Sequence, residues 1–244
     1  MKNFAFTRIE LCAVLSALLL LAIVSAPLLA NTKPRADRVT CFNNLRLIGH
    51  AEHLWANDHR DQMPWRVDMS EGGTQHNPLQ NNSFVNYGVM SNELATPTIL
   101  ACPSDANTKV ARDFSSSPAI GFFALGNRNG SVSYFIGLDS FLTQLPVSLP
   151  YGGPIQAALG GDRNLHVDYL NVACSSGVTA AAGVNPRTPN NVPPHTQWTN
   201  AIHGTVGNIL MIDGQVAQTS NSRVVDAIAP SIDDNASFHL LMPH

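Results

Sequence analysis

The chain has 244 residues, enough for one ordinary domain plus an appendage. Only 13% of residues are charged, the formal net charge is −3, and Lys and Arg form no blocks, which excludes a nucleic-acid-binding surface built on dense positive charge. The 17 Gly and 16 Pro, with abundant Asn and Ser after position 60, point to a loop-rich, mostly β body rather than a helical bundle.

The first element is an apolar run from Ile9 to Ala30 in which Glu10 is the sole charge. At a rise of about 1.5 Å per residue, such a run matches the hydrocarbon thickness of a bilayer and predicts a transmembrane helix. A secretory signal peptide is the rival reading, with Lys2 and Arg8 as its positive region and Leu28-Leu29-Ala30 as its cleavage site. Glu10 counts against it, and so does the length of the run. Cys12 does not fit a lipoprotein, because the apolar segment follows it. A carboxylate inside a membrane costs on the order of 2.5–3.5 kcal/mol on insertion scales, so Glu10 calls for a partner.

The segment Ala5-Phe6-Thr7-Arg8-Ile9-Glu10-Leu11 resembles the prepilin leader of type IV pilins and type II secretion pseudopilins. The resemblance implies a leader over residues 1–5, removed by a prepilin peptidase that cuts between Ala5 and Phe6, with methylation of the new amine. It also implies a membrane helix over 6–30, and pairing of Glu10 with the N-terminal amine of a neighbouring subunit during assembly. Pro27 stands at that family's kink position. Ala5 in place of Gly and Arg8 in place of an apolar residue depart from the pattern.

After the polar break Asn31-Thr32-Lys33-Pro34, the stretch Arg35 to Asp58 reads as an amphipathic helix, the core of a 31–60 segment that continues the span, with Cys41, Leu45, Ile48 and Trp55 on one stripe. Glu52 interrupts that stripe near its end. His50, His53 and His59 beside Glu52 raise a metal reading, but the donor set is incomplete and a solvated helix face is preferred. The run Cys41-Phe42-Asn43-Asn44-Leu45-Arg46-Leu47-Ile48-Gly49, followed by Trp55 to Asp58 and Met63-Pro64, resembles a large bacterial group of pseudopilin-like proteins. In that group this half of the helix packs on a β-sheet.

Cys102-Pro103-Ser104-Asp105 resembles the same group's CP-x-D element. Two readings stay open: a turn pinned to Cys41 by a disulfide, with Cys174 unpaired, or an ordinary Pro turn and three reduced thiols. The cysteine spacings match no paired zinc pattern.

Ser131 to Leu138 and the stretch from Ile155 to Leu159 read as strands. Asp162 and Arg163 are weighed as a catalytic acid and an anion clamp against a strand-end cap with local pairing, and the cap is preferred. Residues 175–198 read as an exposed loop. His203 precedes a predicted hairpin, Asn208 to Ile212 and Gln215 to Thr219, turned by Asp213-Gly214 as type I′. The spacing from His203 to Asp213 and Gly214 resembles the H-x9-DG element of the same pseudopilin-like group. A dyad or metal pair of His203 with Asp213 is the functional alternative. Ser222 to Ala229 reads as a short helix, and 238–242 as a closing strand.

No nucleophile elbow, phosphate loop, dinucleotide fingerprint or HExxH occurs, so no enzyme is expected. The expected fold class is α+β and pilin-like: one long N-terminal helix, membrane half plus amphipathic half, on the antiparallel β-sheet of a loop-rich body over 61–244. The expected function is a structural subunit of a type II secretion or type IV pilus-like assembly. It would be single-pass in the inner membrane with its body in the periplasm, partnered by the prepilin peptidase and other pseudopilin or secretion-system subunits. The alternative is a membrane-anchored periplasmic or surface binding protein. No metal site and no cofactor are expected; a structural calcium ion is unsupported by the sequence.

Overall fold

The structure is a computed structural model that describes residues 7–30, 32–138, 157–166, 196–228 and 240–243. Ala5, Phe6, Cys174 and most of the 175–198 loop therefore lie outside the described residues.

Helix α1 spans Arg8–Ala30 and opens with a capping box. The backbone N–H of Thr7 donates to Glu10 at 2.8 Å, its hydroxyl donates to the same carboxylate oxygen at 2.9 Å, and the Glu10 N–H donates back to the Thr7 hydroxyl at 3.3 Å. These bonds satisfy N–H groups that no helical carbonyl reaches. Glu10 thus has an intramolecular role that its resemblance to the pilin acid does not supply.

Helix α2 spans Thr32–Asp58. Cys41, Leu45, Ile48, Ala51, Trp55 and Ala56 are buried along one face, while Leu47 and Leu54 stay exposed on the other. Gly49 lets this helix approach the sheet: a Cβ there would stand 2.8 Å from Leu210 Cδ1.

The expected single helix with a membrane half is overturned. Among the described residues no helix is long and apolar enough to cross a membrane. Arg8 and Glu10 stand at the mouth of α1, where charge inside a bilayer is costly. The single-pass inner-membrane placement falls with it.

Past α2, two short helices, α3 (Ser83–Val89) and α4 (Ser91–Leu94), lead through 3₁₀ turns to the strands. The strands are β1 (Tyr134–Gly137), β2 (Ala158–Asp162), β3 (Leu165–His166), β4 (Gln197–Trp198), β5 (Val206–Met211) and β6 (Val216–Ser220). Helix α5 (Val224–Ile228) and strand β7 (Leu240–Leu241) follow. Five strands form an antiparallel sheet in the order β6-β5-β2-β1-β7, and β3 pairs with β4 separately.

The two-residue period of the strands sorts their side chains into two layers. Tyr134, Ile136, Leu159 and Leu210 join the α2 stripe in one core. Phe135, Ile209, Met211 and Leu240 face a second, with Trp198, Val224 and Ile228. Gly207 lies flat against the Trp198 indole, whose ring atoms occupy the space a Cβ would need.

The β5–β6 turn is not type I′, because of its two central residues neither has positive φ; only Gly214 after them does, at 81°. The Gly214 N–H donates to the Met211 carbonyl at 2.9 Å, which makes a type I turn closed by a left-handed glycine. The Asp213 carboxylate accepts from the Gln215 N–H at 2.9 Å and stays on its own hairpin.

Glu52, which interrupts the α2 stripe, is only 1% exposed, and its Oε2 has no hydrogen-bond partner among the described residues. Burial holds this carboxyl well above its ordinary value of 4.5. The folded state therefore keeps a proton that the unfolded chain releases, and stability falls as pH rises above about 4.5. Glu52→Met should raise stability by about 1–3 kcal/mol, the scale of an unsatisfied buried polar group, and by more at pH 8 than at pH 5. Urea unfolding at both pH values measures this; an equal or smaller gain at pH 8 would refute it.

Candidate functional site: a buried cluster where α2 meets the sheet

Four segments converge where α2 crosses the sheet. Cys41 comes from the α2 stripe, Cys102 from the turn after the 3₁₀ helix Pro97–Leu100, Asp162 from the end of β2, and His203 from the loop before β5. All four side chains are buried. A disulfide joins Cys41 to Cys102, with Cα atoms 5.1 Å apart. Beside it the Asn44 amide, one turn along α2, donates to the Ala101 carbonyl at 3.1 Å.

The Cys102-Pro103-Ser104-Asp105 stretch owes its shape to Asp105. The Asp105 N–H donates to the Cys102 carbonyl at 2.9 Å, which closes a turn. The carboxylate accepts from the hydroxyls of Thr108 at 2.6 Å and Ser133 at 2.8 Å, and pairs with Arg163, whose Nε lies 2.7 Å away. Ser133 Oγ in turn accepts from the Cys102 N–H at 3.0 Å. Burial works against the charge of Asp105, but bonds from Thr108, Arg163 and Ser133 together with the arginine's charge hold its carboxyl below the usual range. Arg163 therefore serves Asp105, not its neighbour Asp162, and the expected local pairing of 162 with 163 is not formed.

Asp162 turns the other way. Its Oδ2 accepts from the Asn208 backbone N–H at 2.7 Å and from the Asn208 amide at 3.0 Å, and lies 3.6 Å from His203 Nε2. The same Nε2 is 3.5 Å from Cys102 Sγ. Burial pushes the Asp162 carboxyl up to about 7 against the two Asn208 bonds. Burial, helped by the charge of Arg38, draws the His203 imidazole down to about 4. Near neutrality the imidazole is therefore uncharged, and the pair shares at most one proton, held on the carboxyl.

His203 and Asp213 do not form a dyad: the histidine is buried against Asp162 and Cys102, and the aspartate is exposed at its hairpin tip. His50, His53 and His59 are not gathered either. His59 stacks on Trp55 with ring centroids 3.6 Å apart and bonds to the Trp55 carbonyl, and among the described residues the one metal-capable grouping is Cys41, Cys102 and His203. Asn208 and the link from Asp162 to His203 were not predicted, because they depend on β2 and β5 lying side by side.

Beside this cluster, a groove of about 530 Å³ lies over α2 and the β5–β6 pair, lined by Arg35, Arg38, Phe42, Asn208 and Gln218. No family model, no curated protein and no solved structure matches this chain.

Proposed function

We propose that the chain is a structural, non-enzymatic subunit of a pseudopilin-like assembly, held to its neighbours through α1. The observation that carries this reading is the surface of that helix. Leu11, Leu15, Leu18, Leu19, Leu21 and Ile23 are all more than half exposed, at positions that run around the helix rather than along one stripe. An apolar patch of this extent on a chain whose body buries its own core marks an interaction surface. The motif Phe6-Thr7-Arg8-Ile9-Glu10 at its mouth supports helix-to-helix packing of copies, with prepilin-type processing before Phe6.

The paired substitution Leu15→Lys and Leu19→Lys should leave the purified protein monomeric while the wild type forms large species, both with the same near-ultraviolet circular dichroism. Sedimentation velocity reads this, and equal distributions would count against assembly through α1. Glu10→Gln separates the two roles of that residue. The amide still accepts from Thr7, so α1 should keep its helicity, whereas the charge needed for an amine partner is gone and assembly should fail. Thr7→Ala should do the reverse, costing about 1 kcal/mol of helix stability and leaving assembly intact. Mass spectrometry of the mature N-terminus tests the processing: N-methyl-Phe6 supports it and a start at Met1 opposes it.

A second reading, a binding protein, is favoured by the groove flanked by Arg35 and Arg38. An Arg35→Ala, Arg38→Ala variant that assembles normally but loses a bound ligand would select it.

A further inference from the structure

The disulfide stands among donors that an S–S bond does not need. We infer that the Cys41, Cys102, His203 and Asp162 cluster is a zinc site held closed by oxidation: on reduction the two thiolates and the imidazole bind Zn²⁺, and the Asp162 carboxylate completes a tetrahedron.

The geometry supports this at three points. The ligand atoms of Cys41, Cys102 and His203 all lie within 4.8 Å of one another. With Zn–S bonds of about 2.3 Å and Zn–N or Zn–O bonds of about 2.0–2.2 Å, the edges of a tetrahedral site measure about 3.4–3.8 Å. The distance from His203 Nε2 to Cys102 Sγ, 3.5 Å, already falls on that scale, and the Asp162 carboxylate is beside them, its Oδ2 3.6 Å from the same nitrogen. The two sulfurs, drawn together by their bond, have to separate, which side-chain rotation at a Cα spacing of 5.1 Å allows, and the Asp162 carboxylate, which stands outside the group of mutually close ligand atoms, has to swing toward the cysteines. The independent observation is Asp162 Oδ1, a buried oxygen with no hydrogen-bond partner among the described residues. A buried carboxylate oxygen left without a donor is costly in a purely structural role and ordinary in a ligand. Asn208 holds the other oxygen with two bonds, which is how outer groups orient a ligating carboxylate.

The chemistry balances with a trialkylphosphine as reductant. The phosphine attacks one sulfur, water hydrolyses the adduct, and the products are phosphine oxide and two protein thiols. Zinc binding then forms two Zn–S bonds and releases both thiol protons to solvent, along with any proton on Asp162, while His203 contributes its Nε2 lone pair. The four ligands come from four segments, so the metal would join α2 to the sheet where the disulfide does.

The test uses the full chain, reduced by phosphine in urea and refolded by dilution, then titrated with Co²⁺ and back-titrated with Zn²⁺. The expected result is a one-to-one complex with the intense visible bands of four-coordinate, sulfur-ligated cobalt, bleached by one equivalent of zinc. The unreduced protein should give no bands. His203→Ala and Asp162→Asn should each weaken binding by at least the roughly 10–100-fold that loss of an outer partner of a metal ligand costs, and zinc should raise the melting temperature of the reduced wild type. Absent bands, a stoichiometry other than one, or unchanged affinity in His203→Ala would overturn the site, the last because it is the behaviour of thiols on an unfolded chain. Unchanged affinity in Asp162→Asn would remove the carboxylate from the ligand set and overturn the four-ligand assignment.

Discussion

The double variant Cys41→Ser, Cys102→Ser should lose about 4 kcal/mol of stability. The disulfide closes a loop with a sequence separation of 61, and the chain-entropy account sets the unfolded-state restriction for such a loop at about 4 kcal/mol. In a domain of this size that is a fall of roughly 8–16 °C in melting temperature. The loss acts mainly through the unfolded state, so the native contacts around the site should persist: Asn44 still reaches the Ala101 carbonyl, and Leu45 and Ile48 still pack in the core. Urea unfolding of wild type and variant under non-reducing conditions measures it. A difference under about 1 kcal/mol would mean that the unfolded chain is already held near this closure by other contacts.

The second large effect is a change in pH dependence. The Asp162 carboxyl moves from 3.8 unfolded to about 7 folded, so its contribution is fully present below 3.8 and is lost as pH rises through 7. The His203 imidazole moves from 6.5 to about 4, so its contribution is fully present above 6.5 and is lost as pH falls through 4. The two slopes oppose each other. Between about pH 4 and 6.5 the pair holds one proton in either state, on His203 in the unfolded chain and on Asp162 in the fold, so folding moves that proton across the pair.

Removing one member uncovers the other. Relative to wild type, Asp162→Asn should become progressively more stable as pH rises from about 4 to 7, by up to about 1.4 kcal/mol per pH unit. His203→Gln should become progressively less stable over about pH 4 to 6.5, with a slope of the same size and opposite sign. The shared titration of the remaining groups, Glu52 included, drops out of each difference. Parallel stability profiles for wild type and Asp162→Asn would refute the assignment of the proton to the carboxyl.

Local patterns were legible in the sequence, and long-range ones were not. The stripe Cys41, Leu45, Ile48, Trp55 locates the buried face of α2 because helical period is written in spacing, and Asp213-Gly214 locates a hairpin because few residues accept left-handed backbone. The finer turn type was misread, since Gly214 alone takes the left-handed region. The capping box stands in the sequence as Thr7-x-x-Glu10, beside a competing intramembrane explanation for the acid. Glu52 looked like a flaw in a stripe and is in fact buried with it.

The largest miss is the helix. A run whose sole charge is Glu10 reads as the membrane half of one long helix, whereas among the described residues no helix is long and apolar enough to cross a membrane. The Asp162, His203 and Asn208 contacts lay beyond reach for a different reason. They follow from the antiparallel register of β2 with β5, Gly161 opposite Ile209, which no spacing along the chain encodes.

The sheet also sorts the three tryptophans of the chain. Trp55 and Trp65 lie in the layer shared with α2, and Trp198 alone lies in the layer behind. Substituting Trp198 by Phe would leave an emission signal confined to the helix side, and replacing the other two would leave one confined to the far side. Each half of the molecule thus carries its own lamp, and whether the two layers melt together or in turn is a matter of which one goes dim first.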